Sequence, residues 1–152
     1  MRGPLIGVVG SGNCGSETDR LAARVGREIA ARGGVVVCGG LGGVMAAAAR
    51  GAKEAGGIVI GILPGPDIRQ ANDHIDFPVA TNMGSARNAI IAQTAEVLVA
   101  VAGGYGTLSE MALALKLGKK VVALDSPFQI PGALEARTPE EAVRQAFAFL
   151  PS

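Results

Sequence analysis

The sequence predicts an α/β fold: a single-domain, Rossmann-like, doubly wound parallel sheet with helices on both faces. Three observations carry this. Short, continuously apolar runs recur along the 152 residues, each followed by a segment of helical period. Glycine clusters stand between them, among 23 glycines with no collagen-like repeat. No linker divides the chain, and its length is that of one domain, residues 1–152. Apolar runs without alternation are what a parallel sheet needs, because helices cover both of its faces and neither face meets water.

Taken in order, Leu5-Ile6-Gly7-Val8-Val9 is the first strand, closed by Gly10. Ser16 to Ala31 alternates apolar and charged residues at helical spacing until Gly33-Gly34 stops it. The pattern repeats with Val35 to Cys38, the turn Gly39-Gly40-Leu41-Gly42-Gly43, a helix from Val44 to Ala55, and a third strand, Ile58 to Ile62. Leu63 to Asp73 holds Pro64, Gly65 and Pro66 and has no period, which predicts a long loop able to cover a ligand. A weaker strand, Ile75 to Ala80, leads through Thr81-Asn82-Met83-Gly84 to a helix over Ser85 to Thr94 and a strand over Val97 to Ala102. After Gly103-Gly104-Tyr105-Gly106 come a helix from Thr107 to Leu117 and a strand from Lys119 to Leu124. Asp125 to Arg137 reads as a connection without a strand. Thr138-Pro139-Glu140-Glu141 then opens the last helix with a cap, a proline at the first position and an acid three residues on.

Composition excludes several partners. A net charge of +1 offers no field for a polyanion or an anionic membrane, and one Tyr, four Phe and no Trp leave little surface on which to stack bases. Neither nucleic acid nor membrane is expected. No apolar stretch is long enough to span a bilayer and no leader pattern precedes the first strand, so a cytoplasmic location is expected. Cys14 and Cys38 lack CxxC spacing and are expected as free thiols; with one His they make a poor metal-ligand set, and no metal site is expected.

The glycine turns fall at the carboxyl ends of strands, where helix N-termini offer unpaired N–H groups to an anion. Gly10-Ser11-Gly12-Asn13-Cys14-Gly15 matches GxGxxG, yet the second strand ends Cys38-Gly39-Gly40 with no acid for a ribose, which argues against a nicotinamide dinucleotide. No glycine turn carries the lysine of a Walker loop. Gly103-Gly104-Tyr105-Gly106-Thr107 places a backbone nest and a hydroxyl at a helix start, with Glu110 one turn in. Thr107-x-x-Glu110 is equally the spelling of a capping box that needs no ligand. Arg87, in the first turn of an otherwise apolar helix, opposes the helix dipole; a bound anion or simple solvation would each accommodate it.

Gly39-Gly40-Leu41-Gly42-Gly43-Val44-Met45, Ala86-Arg87-Asn88 and Gly103 to Glu110, in this order and spacing, resemble the Lonely-Guy-like (LOG-like) Rossmann-type superfamily. The resemblance covers nearly the whole chain. It implies a phosphate site rather than the lysine decarboxylase that members are often labelled. Its best-understood enzymes are phosphoribohydrolases that split N6-modified adenosine monophosphate, and they carry Pro-Gly-Gly-x-Gly-Thr-x-x-Glu with an upstream Arg-Lys pair. Ala102 stands here in place of that proline and Asn88 in place of that lysine. The Arg87-Asn88 pair and the compact chain resemble instead the branch containing molybdenum-cofactor carrier proteins. The resemblance gives Glu110 and Arg87 the ribose end of a ligand, as the catalytic pair if the chain is an enzyme. It places Gly104, Gly106 and Thr107 around the phosphate. Together the turns and the resemblance nominate Gly10, Ser11, Gly12, Gly40, Gly42, Gly43, Met83, Arg87, Asn88, Gly103, Gly104, Tyr105, Gly106 and Thr107 as ligand-binding.

The expected occupant is an AMP-like nucleotide or a molybdopterin-type cofactor, with no further cofactor required. Hydrolysis of an N-glycosidic bond, cofactor carriage and ligand sensing all follow from such a site. The helix after Thr107 is apolar nearly all round, with Met111, Leu113, Leu115 and Leu117, and members of the family are commonly dimeric; at least a homodimer is expected.

Overall fold

The computed structural model describes residues 2–151. Seven parallel strands form one sheet: β1 (Leu5–Gly10), β2 (Val35–Cys38), β3 (Ile58–Leu63), β4 (Phe77–Ala80), β5 (Val97–Val101), β6 (Lys120–Leu124) and β7 (Leu134–Ala136), in the order β4-β3-β2-β1-β5-β6-β7. The chain winds outward from β1 to β4, then crosses back to lay β5 against the other side of β1. The strand order therefore reverses between β1 and β5, and a doubly wound sheet opens its binding crevice at that point. Their register pairs Gly10 with Val101, so the turns that follow the two strands leave the sheet side by side.

Helices α1 (Ser16–Ala31), α2 (Val44–Glu54) and α5 (Pro139–Ala148) cover one face, closing over Ile6, Val8, Val36, Val59, Val97, Val99 and Val122. Helices α3 (Arg87–Thr94) and α4 (Tyr105–Lys116) cover the other, over Val9, Val37, Ile62, Leu98, Ala100 and Val121. Alternate residues of each strand thus enter opposite cores, as the unbroken apolar runs require. Where α1 crosses α2 the contact is backbone to backbone. A Cβ on Gly26 would meet the Ala48 carbonyl and one on Gly51 the Ala23 carbonyl, so glycine and alanine set the interhelical distance.

Several boundaries differ from the sequence reading, among them α3, which begins at Arg87 after a turn of 3-10 helix rather than at Ser85. Asp125 to Arg137 contains β7, whose three residues pair with β6; a strand this short is below the length at which a run of apolar residues announces itself. β4 begins at Phe77, because Asp76 is occupied in side-chain bonds to Lys53 Nζ and the Val59 amide. Helix α4 begins at Tyr105, two residues before the threonine, with Gly104 as its N-cap. No helix among the described residues is long and apolar enough to cross a membrane.

Candidate functional site

A cleft of about 360 Å³ opens at the switch point, within the size range of about 300–1,000 Å³ usual for small-molecule sites. Each element contributes its carboxyl-edge turn or helix start: Gly10, Ser11 and Gly12 after β1, Gly39 after β2, Met45 from α2, Arg87 and Asn88 from α3, and Gly104, Tyr105, Gly106, Thr107 and Glu110 from α4.

The helix starts around the cleft share a property. None of α1, α2, α3 and α4 has its first N–H groups capped by a side chain. Helix α5, out at the sheet's edge, has side-chain caps: Thr138 Oγ1 accepts from the Glu141 amide at 3.1 Å and Glu141 Oε2 accepts from the Arg137 amide at 3.1 Å. Thr107 and Glu110 carry the same Thr-x-x-Glu spelling without forming a capping box, since α4 has already begun at Tyr105. Thr107 becomes its third residue and Glu110 its sixth, one above the other on the face turned to the cleft, 3% and 6% exposed.

Arg87 is the pivotal side chain. It is 9% exposed at the first position of α3, and its Nε is buried without a hydrogen-bond partner. Burial pulls its pKa down, while the Glu110 charge opposes that effect. It forms no ion pair with any carboxylate among the described residues, whose ion pairs lie elsewhere on the surface. Gly39 makes room for it, because a Cβ there would collide with Nη1 and with Met45 Sδ. Glu110 is held in the same low-dielectric setting: burial pushes its carboxyl up to about 7, with Arg87 pulling it back. Beneath them burial lifts the Cys38 thiol to about 11, which keeps it protonated and inert.

An unpartnered buried guanidinium is costly unless an anion completes it. Gly104 and Gly106 line the same space at the start of α4, which has no side-chain cap and brings the positive end of its dipole there. These residues have the chemistry to hold a phosphate or another compact anion, and Tyr105, 85% exposed, lines the same cleft. Among the described residues no group of three or more His, Cys, Asp or Glu is placed to hold a metal ion.

The structure brings together nine of the nominated residues, namely Gly10, Ser11, Gly12, Arg87, Asn88, Gly104, Tyr105, Gly106 and Thr107, with Glu110 beside them. Five others lie outside the lining. Gly40, Gly42 and Gly43 form a buttress instead: Gly43 (φ 59°) seats α2 so that the Val44 amide donates to the Ser11 carbonyl at 3.0 Å, tying the second turn to the first. Gly103 (φ 104°) turns the chain into α4 under the Thr107 side chain. Met83 is exposed on the turn before α3. The loop from Leu63 to Asp73 also stands away from the cleft, held by Asn72, whose amide donates to the Gly40 carbonyl. Missed in the sequence were Val9, at the end of β1, and Gly39 and Met45, although the last two lie inside the Gly39 to Met45 motif that carried the resemblance.

Residues 4–147 match the model of the SLOG cluster4 family. The chain belongs to that family. An uncharacterized protein of Archaeoglobus fulgidus is 53% identical over 139 residues, 91% of each chain. Among solved structures, the molybdenum cofactor binding protein of Rippkaea orientalis superposes with a TM-score of 0.91 at 37% identity, covering 97% of this chain and 98% of that one. The molybdenum cofactor carrier protein of Chlamydomonas reinhardtii gives 0.88 at 39% identity, covering 97% and 99%. A cytokinin riboside 5'-monophosphate phosphoribohydrolase of Mycobacterium tuberculosis is 36% identical over 100 residues, 63% of this chain and 53% of the enzyme. The LOG-like placement read from the motifs is therefore correct.

Residue 102 separates this chain from the Pro-Gly-Gly motif in the backbone as well as the side chain. Ala102 has φ 48° and its amide donates to the Leu124 carbonyl at 2.9 Å.

Proposed function

We propose that the cleft binds a phosphorylated small molecule by its phosphate, and that the protein carries a pterin-type molybdenum cofactor without breaking a bond in it. The observation that carries the binding is the buried, unpartnered Nε of Arg87 among open helix-start amides. Carriage is favoured because the likeness to the carrier and binding proteins runs the length of both chains, whereas that to the phosphoribohydrolase spans about half of the enzyme. Arg87 supplies the charge, the Gly104 and Gly106 amides and Thr107 Oγ1 supply directional donors, and Gly10 to Gly12 form the opposite wall. The cofactor's own chemistry is redox at its metal, and the protein's part is to hold the phosphate end and limit access of water and oxygen to the rest. The test is to add molybdopterin-type cofactor to the purified protein and follow its oxidation. The expected result is a lifetime extended by wild type and not by Arg87→Ala. A lifetime equal to that in buffer alone counts against carriage.

A second reading rests on Glu110. A buried carboxyl with a pKa near 7, beside a cation, suits a group that stabilises an oxocarbenium-like centre or orients water at an anomeric carbon. The reaction would be hydrolysis of a nucleoside 5'-monophosphate to base and ribose 5-phosphate. Incubation with AMP and N6-substituted AMP tests it; release of ribose 5-phosphate that disappears in Glu110→Gln supports hydrolysis, and its absence from every nucleotide rejects it.

Self-association belongs to the same proposal. Ile58, Phe77 and Val79 are exposed on the α3/α4 side of the sheet, in register with Ile60 and Ile62, and Leu117 is exposed at the end of α4. A second copy would cover them, and light scattering is expected to return at least a dimer.

A further inference from the structure

Tyr105 combines three features that a solvated tyrosine does not need. It is the first residue of α4, between the two glycines that line the cleft at the uncapped helix start, so its ring stands one residue from the proposed phosphate anchor. It lines the cleft while remaining 85% exposed, in a chain with only five aromatic residues. Its ring is also supported from behind: Phe128, half-buried in the connection between β6 and β7, lies 6.3 Å away centroid to centroid at an interplanar angle of 36°. That contact braces the tyrosine ring on the Phe128 side while most of its surface stays free. The separation and tilt fall within the range of favourable aromatic pairs. The connection carrying Phe128 has no other aromatic residue, and Ser126 holds it locally, its Oγ accepting from the Phe128 amide at 3.1 Å.

We propose that Tyr105, backed by Phe128, is the platform for the planar heterocycle of the ligand whose phosphate meets Arg87, and so selects ring-bearing phosphates over bare sugar phosphates. The proposal rests on the phosphate-site reading above. Stacking tolerates any flat heterocycle, purine or pterin, because each presents a π face. It requires no hydrogen bond from the tyrosine hydroxyl. Selection therefore survives Tyr105→Phe and fails in Tyr105→Ala.

The chain contains one Tyr and no Trp, so its intrinsic emission excited near the tyrosine band reports on Tyr105 itself. Titration of the full chain with AMP, ribose 5-phosphate and inorganic phosphate, followed by emission and by calorimetry, tests the proposal. AMP is expected to quench Tyr105 and to bind about tenfold more tightly than ribose 5-phosphate, the order that stacking of one base supplies. Tyr105→Ala is expected to erase that tenfold preference, Phe128→Ala to reduce it, and Tyr105→Phe to retain it. Equal affinities for AMP and ribose 5-phosphate in wild type, or equal losses for both in Tyr105→Ala, overturn the platform while leaving the phosphate site standing. Failure of wild type to bind any of the three overturns the phosphate reading and the platform with it.

Discussion

Two helix starts in this protein carry the same four-residue spelling, Thr-x-x-Glu, and put it to different use. At α5 the threonine is the N-cap and Thr138 and Glu141 satisfy amides at the helix start, leaving that end closed. At α4 the helix has started two residues earlier on Gly104, so Thr107 and Glu110 sit inside it, buried against the cleft, and the first amides stay open. The difference lies in what precedes the threonine. Arg137 before Thr138 gives the helix no earlier start, whereas Gly103-Gly104-Tyr105-Gly106 can fold back under Thr107 and begin it. A capping motif is thus a property of where the helix begins, and only then of the residues that spell it.

The sharpest way to break this contrast is at Arg87, which gives the open end its charge. Arg87→Ala is expected to weaken phosphate-ligand binding by about 2–5 kcal/mol, the usual cost of truncating one partner of a buried charge pair. Arg87→Met is expected to be neutral or stabilising for the ligand-free fold, because an apolar side chain of similar length replaces an uncompensated buried cation. Calorimetry and urea denaturation of the two variants separate the effects; a loss of fold stability in Arg87→Met with unchanged phosphate affinity would mean that the guanidinium is structural.

Next in size is the pH dependence of Glu110. Its folded-state pKa of about 7 lies above the ordinary 4.5, so the folded protein holds this proton more tightly than the unfolded chain. The stabilisation is complete below about pH 4.5 and is lost as pH rises to about 7, by roughly 3 kcal/mol at most. Urea midpoints of wild type and Glu110→Gln across that interval check this: the variant is expected to lack the decline. Parallel curves would remove Glu110 as its source.

The smallest effect belongs to the closed end. Thr138→Ala is expected to lower stability by about 1 kcal/mol and to leave phosphate affinity unchanged, because its cap is remote from the cleft. A change in ligand affinity would deny that the two helix starts are independent.

These two ends also show how much could be read without coordinates. The α5 start was legible because its signals are local: cap, proline and acid within four residues. The layered parallel sheet was legible because β1, β2, β3, β5 and β6 are unbroken apolar runs. The α4 start was not, since the helix begins at Tyr105 on a turn that needs the positive φ of Gly103. The partnerless state of Arg87 is likewise invisible in a sequence, which cannot state what a side chain fails to touch. The turns after β1 and β2 looked equivalent as glycine clusters, yet one lines the cleft and the other mostly braces it; their division follows from Val44 bonding to Ser11 across the two turns.

The conformation of residue 102 limits which residues this edge of the sheet accepts. A pyrrolidine ring holds φ near −65° and has no N–H to give, so proline can satisfy neither the φ of 48° nor the bond to Leu124 found here. Ala102→Pro would therefore remove the left-handed turn and the bond together, and the β5–β6 edge would have to rebuild around the ring. The constraint at residue 102 is set by a peptide unit rather than by a side chain.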